Sequence, residues 1–111
     1  HPDEANIHQA LAIAYAGLGR KEDALREASE ALVLTPVAKE PYFGGSTLIE
    51  VALVETMVGE YDAALDHLDT ALGIPAVVSI PWLKLDPRWA PLWEQPGFRE
   101  LVEKYEAAGG A

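Results

Sequence analysis

There is no cysteine among the 111 residues. That excludes a disulfide framework, a thiol nucleophile and any Cys-ligated metal. It also fits a reducing compartment, so the expected location is cytoplasmic. No apolar run approaches the ~20 residues that a membrane span requires. No leader pattern is visible, since the chain opens on polar His1-Pro2-Asp3-Glu4. A start without Met is what a domain taken from a longer protein would show. Basic residues are scarce: 8 Lys+Arg stand against 18 Asp+Glu, for a net charge of -10. A surface of that sign repels phosphate, so neither nucleic acid nor an anionic membrane is an expected partner. The imbalance is sharpest where Glu50, Glu55, Glu60, Asp62, Asp66 and Asp69 follow one another with no Lys or Arg between them. Such a run is either a solvated face or a patch that meets a basic partner.

Chemistry-bearing motifs are also missing. No GxxxxGK[ST], GxGxxG or HExxH occurs, and Gly44-Gly45 lacks the preceding strand that a phosphate loop needs. His67 lies near Asp66 and Asp69, but residues one and two apart on a helix face different ways, so they chelate poorly. Ser29, Ser46 and Ser79 have no evident base beside them, and Glu55 with Glu60 straddles a turn. No catalytic residue, cofactor or metal is assigned, and the chain is expected not to be an enzyme.

What the sequence does contain is helical periodicity. Residues 5–36 read as two helices joined at Gly19-Arg20-Lys21. On the first, Ile7, Leu11, Ala14, Tyr15 and Leu18 recur at helical spacing, and the small residues Ala10, Ala12, Ala14, Ala16 and Gly17 would let a second helix come close. Gly19 suits the left-handed conformation that ends a helix. The second helix, about Lys21 to Leu34, carries Ala24, Leu25, Ala28, Ala31, Leu32 and Leu34. On its wet side Glu22 and Glu30 stand four residues either side of Arg26, the spacing of helical ion pairs. Thr35-Pro36 stops it. Two prolines and two glycines predict a loop over 37–45, with Ser46 capping a third helix that carries Leu48, Val51, Ala52, Val54 and Val58 and ends at Gly59. A fourth helix runs from Tyr61 to Leu72 with Tyr61, Ala64, Leu65, Leu68, Ala71 and Leu72, closed by Gly73 and Pro75. Beyond it, prolines and tryptophans concentrate. Short helical turns begun by proline are predicted there, Asp86 capping Pro87 among them, before a last helix from Pro96 to about Ala107.

Placing Gly19 on Gly59 pairs Leu11-Ala12 with Val51-Ala52, Ala24 with Ala64, Ala28 with Leu68, Ala31 with Ala71 and Leu32 with Leu72. A constant offset running through a helix–turn–helix is the mark of a stacked repeat. The residues His8, Leu11-Ala12, Tyr15, Ala24, Ala28 and Pro36 resemble the tetratricopeptide pattern, and Leu48, Val51-Ala52, Glu55, Ala64, Leu68 and Pro75-Ala76 form a second copy. His8 stands where the family has Trp, Ala28 where it has an aromatic, Glu55 where it has Tyr, and the period is a few residues longer than usual. The second half, with Gly59-Glu60-Tyr61-Asp62-Ala63-Ala64, Gly73-Ile74-Pro75, Leu85-Asp86-Pro87-Arg88-Trp89, Pro91-Leu92, Pro96, Phe98 and Leu101, resembles the closing end of such arrays in bacterial multidomain signalling proteins with kinase, nucleotide-cyclase or winged-helix domains.

The resemblance implies an all-α fold of antiparallel helix pairs stacked as a right-handed solenoid: repeat 1 over about 5–36, repeat 2 over about 46–76 and a closing segment over 77–108. It implies a non-catalytic module for protein–protein contact in a larger signalling protein, with self-association through the N-terminal repeat face. The alternative is a ligand or peptide sensor with its pocket beside the Pro41–Gly45 segment. The family's groove positions correspond here to Asn6, Gln9, Ile13, Ala16, Ser46, Ile49, Leu53 and Thr56. The carboxylate clamp of some relatives has Gln9 and Ile13 at its positions and is absent. Ile13, Ile49 and Leu53 form an apolar strip that either receives a partner or is buried against further repeats. Trp82, Leu83, Leu85, Trp89, Leu92, Trp93 and Phe98 either fold over the open end of the array or stand out as binding anchors.

Overall fold

Glycine and proline set the boundaries of nearly every helix. The computed structural model describes residues 2–35, 41–74 and 79–109, with side chains over 4–35, 45–74 and 79–106. All the regular structure among the described residues is helical: α1 (Pro2–Gly17), α2 (Lys21–Leu34), α3 (Pro41–Met57), α4 (Tyr61–Leu72), α5 (Ile80–Leu85), a 3₁₀ turn (Pro87–Trp89), α6 (Ala90–Trp93) and α7 (Pro96–Gly109). Pro36 to Glu40 and Pro75 to Val78, with the helix stops and loop positions predicted on them, lie outside the described residues.

The turns after α1 and α3 have the same construction. Gly19 and Gly59 have φ of 78° and 86°, where a side chain would be strained. That bend lets the Arg20 amide donate to the Tyr15 carbonyl at 2.9 Å and the Glu60 amide to the Glu55 carbonyl at 2.8 Å, satisfying carbonyls that a helix end leaves open. Gly73 differs: its φ is -76°, and it closes α4 in the ordinary helical region.

The third helix begins earlier than its sequence predicts. Pro41 to Gly45 belong to α3, so Ser46 is an internal helical residue and not a cap. Proline is well suited to a first helical position, where its missing N–H is no loss. The two glycines cost about 1 kcal/mol each in helix propensity, a cost that tertiary burial of the helix offsets. Gly45 is itself buried. Further on, the proline-initiated turns form as predicted. The Asp86 carboxylate accepts from the Arg88 amide at 3.0 Å, capping the 3₁₀ turn.

Two clusters make the core, and α3 belongs to both. On one side Val51 and Val54 pack with Ala12, Ala16, Ala24 and Ala28. On the other, Leu48, Ile49, Ala52 and Leu53 join Ala64, Leu68 and Ala71 of α4 and Ile80, Leu83, Trp89, Leu92, Phe98 and Leu101 of the C-terminal segment. α3 is thus buried nearly all round.

The buried side of α1 is a different one from the large-residue stripe. Ala5, Ala12 and Ala16 are buried, while Ile7 and Leu18 are 58% and 73% exposed. The alanines win because a close helix crossing admits only small side chains, and close packing gains dispersion along the whole contact. The large residues are left on the opposite side.

The polar ties also depart from simple helical spacing. Arg26 pairs with Asp23 at 2.7 Å, three residues back, and not with Glu22 or Glu30. α7 is fastened to α4 at Asp69, where Lys104 Nζ lies 2.9 Å from Oδ1 and the Tyr105 hydroxyl lies 2.7 Å from the carbonyl oxygen.

Candidate functional site

The eight groove positions fall into two groups. Asn6 and Ser46 are exposed, and Gln9 and Ile13 are half-buried. Ala16, Ile49, Leu53 and Thr56 are buried. α1 and α3 do lie side by side, and the Gln9 amide donates to Thr47 Oγ1 across them at 3.2 Å. The apolar strip does not survive as a surface, however. Ile49 and Leu53 sit in one cluster with Trp89 and Leu92, so the chain's own C-terminal segment covers them. Thr56 turns its hydroxyl back to the Ala52 carbonyl at 2.8 Å. What stays accessible on this side is a polar edge of Asn6, Gln9 and Ser46 beside Ile13.

The tryptophan residues divide as well. Trp89 is fully buried, packed edge to face with Trp82 at a centroid distance of 6.3 Å. Its Nε1 has no hydrogen-bond partner among the described residues. Trp93 is partly exposed, and its Nε1 donates to the Leu83 carbonyl at 2.8 Å. Trp82 and Leu85 present apolar surface to solvent.

Each helix pair is tied by one histidine and one carboxylate. His8 of α1 meets Glu27 of α2, and His67 Nδ1 of α4 lies 2.7 Å from Glu55 Oε1 of α3. By the repeat offset Glu27 and His67 are equivalent, whereas their partners are not: His8 corresponds to Leu48 and Glu55 to Tyr15. This gives Glu55 a role at a position where the resemblance expects Tyr: it is a buried carboxylate with a histidine partner across the hairpin. The Glu55 hydrogen bond raises the His67 pKa above the ordinary 6.5, against the opposing pull of partial burial. The unfolded chain titrates near the ordinary value. Protonated His67 therefore contributes its full stabilisation below about pH 6.5, and the contribution is lost as pH rises through the raised folded-state pKa. The gap in urea midpoint between the native chain and His67→Gln is expected to be wide near pH 6 and to close near pH 9. A gap independent of pH would show that the pair is not an ionic one.

The acidic run is less of a patch than its sequence implies. Glu55 is buried on His67, Glu60 pairs with Lys21 at 2.6 Å, and Asp69 with Lys104 at 2.9 Å. Asp62 and Asp66 remain open and line a cleft of about 350 Å³ between α4 and α7 with Leu65, Asp69, Gly97, Glu100, Leu101 and Lys104. A second space, about 490 Å³, runs along α7 from Trp93 to Glu103. The pocket expected beside Pro41–Gly45 falls where the side chains of 41–44 lie outside the described residues.

Among the described residues, the outer side of α1 is an uncommitted apolar surface, with Ile7, Leu11 and Leu18 separated by Ala10, Ala14 and Gly17. From Ala5 to Gly17 the chain has no Asp, Glu, Lys or Arg. A helix apolar on every side is normally covered on every side. α3, whose charged residues are Glu50 and Glu55 alone, is covered on both sides; α1 is covered on one. That absence of charge was the signal in the sequence, and it was readable there as a helix with two partners.

The chain matches no protein-family model, no curated protein and no solved structure. Among the described residues, no group of three or more His, Cys, Asp or Glu could hold a metal ion, and no helix is long and apolar enough to cross a membrane.

Proposed function

We propose that the chain is a non-catalytic module for protein–protein contact, a tetratricopeptide-like pair of stacked helical hairpins closed at its C-terminal end by residues 79–106, and that it serves a larger bacterial signalling protein. What supports the interaction role above all is the uncovered outer side of α1, an apolar surface on a chain that is otherwise strongly acidic. The contact surface is that side of α1, with Asn6, Gln9 and Ile13 along its edge, in place of the concave strip at Ile49 and Leu53. Stacking is supported by the offset of 40 between Gly19 and Gly59, which carries one turn geometry into the other. The closing role of 79–106 is supported by Trp89, Leu83 and Leu92, all fully buried against α3 and α4.

A photoreactive side chain at Leu18 is expected to capture a protein, whether another chain or a second copy of this one, and the same group at exposed Glu22 of α2 to capture none. Capture at neither position would overturn the proposal.

A further inference from the structure

We infer that α1 and α2 open from the rest of the protein as one unit while α3, α4 and the C-terminal segment stay folded, and that this opening uncovers a second apolar surface at Val51 and Val54 of α3. The inference goes beyond the proposed contact role and does not depend on what meets the outer side of α1.

Large side chains are buried very unevenly along the chain. Among the described residues, the largest fully buried side chains, from Thr47 to Leu92, all belong to α3, α4 or the C-terminal segment. The buried hydrophobic residues of α1 and α2 are alanines throughout: Ala5, Ala12, Ala16, Ala24, Ala28 and Ala31. The large residues of the same two helices bury little. Ile7, Leu11, Leu18 and Val33 are exposed, and Ile13, Tyr15 and Leu32 are only partly covered. Stabilisation by burial grows with the apolar area taken from water, and an alanine methyl removes far less than a leucine or a tryptophan does. The contact of α1 and α2 with α3 is made by Val51 and Val54 on the alanine side, with Leu32 reaching the second cluster as well.

The polar ties follow the same division. Across the boundary the Gln9 amide reaches Thr47 Oγ1 at 3.2 Å in a partly solvated contact. Lys21 pairs with Glu60 at 2.6 Å, but the two side chains are 48% and 44% exposed, and an ion pair so solvated contributes little. Within the first helix pair the ties are local. The Arg20 amide closes the turn on the Tyr15 carbonyl, and His8 meets Glu27, so α1 and α2 hold to each other. On the other side of the boundary, Leu83, Trp89 and Leu92 are packed against Leu53 and Leu68, and Lys104 and Tyr105 fasten α7 to Asp69.

The free energy of a local opening follows the burial that the opening gives up. α1 and α2 therefore detach at a lower cost than the body unfolds. Once detached, helices of 16 and 14 residues are marginal in water, and their amides exchange. Val51 and Val54, 3% and 1% exposed in the closed state, then face solvent. The module has a closed and an open state that differ in the apolar surface they offer.

The absence of cysteine and the internal repeat together supply a matched test. Ala24 and Ala64 are equivalent at the offset of 40, and both are 0% exposed. The same substitution, Ala24→Cys or Ala64→Cys, is made singly in the full chain. Reaction with iodoacetamide is then followed without denaturant and in low urea. Ala24→Cys is expected to react at least about tenfold faster than Ala64→Cys, with a shallower dependence on urea, because a partial opening exposes less surface than global unfolding. Should either variant fail to fold, hydrogen exchange of the unsubstituted chain carries the test: the amides of Ala28 and Ala31 are expected to exchange at least about tenfold faster than those of their equivalents Leu68 and Ala71. Equal rates at the paired positions, or the same urea dependence at both, would mean that the chain opens only as a whole, and would overturn the inference.

Discussion

Trp89→Ala is expected to lower the unfolding free energy by about 3–5 kcal/mol, the cost of emptying a fully buried aromatic site that the surroundings cannot refill. The loss reaches further than one ring. Trp89 lies between the α3–α4 pair and the short helices of the C-terminal segment, sharing one cluster with Leu53, Leu68, Leu83 and Leu92. Without it, α5 and α6 lose the surface they are folded onto, and helices of six and four residues have no independent stability. A fall in melting temperature on the order of 10 °C or more follows for a domain of this size. Trp89→Phe should cost much less. It keeps most of the apolar volume and removes an indole N–H that has no partner among the described residues, whose burial itself costs about 1–3 kcal/mol. If the Ala variant melted like the native chain, the C-terminal segment would be a loose appendage and not a closure.

Leu53→Ala is expected to cost about 2–5 kcal/mol, and the result separates two accounts of the same residue. On the inner wall of an open groove, truncation of Leu53 would weaken partner binding and leave folding nearly untouched. Beneath Trp89 and Leu92, where it is 2% exposed, truncation leaves a cavity in the core. Denaturant midpoints of the two single variants and of the Trp89→Ala, Leu53→Ala double variant would show the connection. Residues in contact are expected to give non-additive losses, with the double variant costing less than the two separate costs together.

Much of the fold was legible from local chemistry. The bounds of α2 and α4, the left-handed turns at Gly19 and Gly59, and Asp86 as the cap of a proline-led turn all follow from rules that act within a few residues. What local rules miss is what a distant element decides. Pro41-Tyr42-Phe43-Gly44-Gly45 has the composition of a loop, yet it is the first turn and more of a helix that the rest of the protein buries. Arg26 has three acids within reach along α2, and spacing alone does not choose Asp23.

The candidate site shows the same limit more sharply. Periodicity locates two apolar sides on α1 but not which one is inside; the alanine side is, because the partner helix approaches closely there. Likewise, Ile49 and Leu53 occupy groove positions by resemblance, and only the return of residues 79–106 onto α3 takes them out of solvent. The histidine–carboxylate tie between His67 and Glu55 joins residues twelve apart on different helices, a pairing that no scan of neighbouring positions would propose.

The most direct measurement is the photocrosslinking comparison extended to a third position. The reactive group is placed in turn at Leu18 on the outer side of α1, at Ile13 on the groove edge, and at Glu22 on α2. Capture strongest from Leu18, weaker from Ile13 and absent from Glu22 is the predicted result. Capture from Ile13 with none from Leu18 would place the contact in the groove and contradict it.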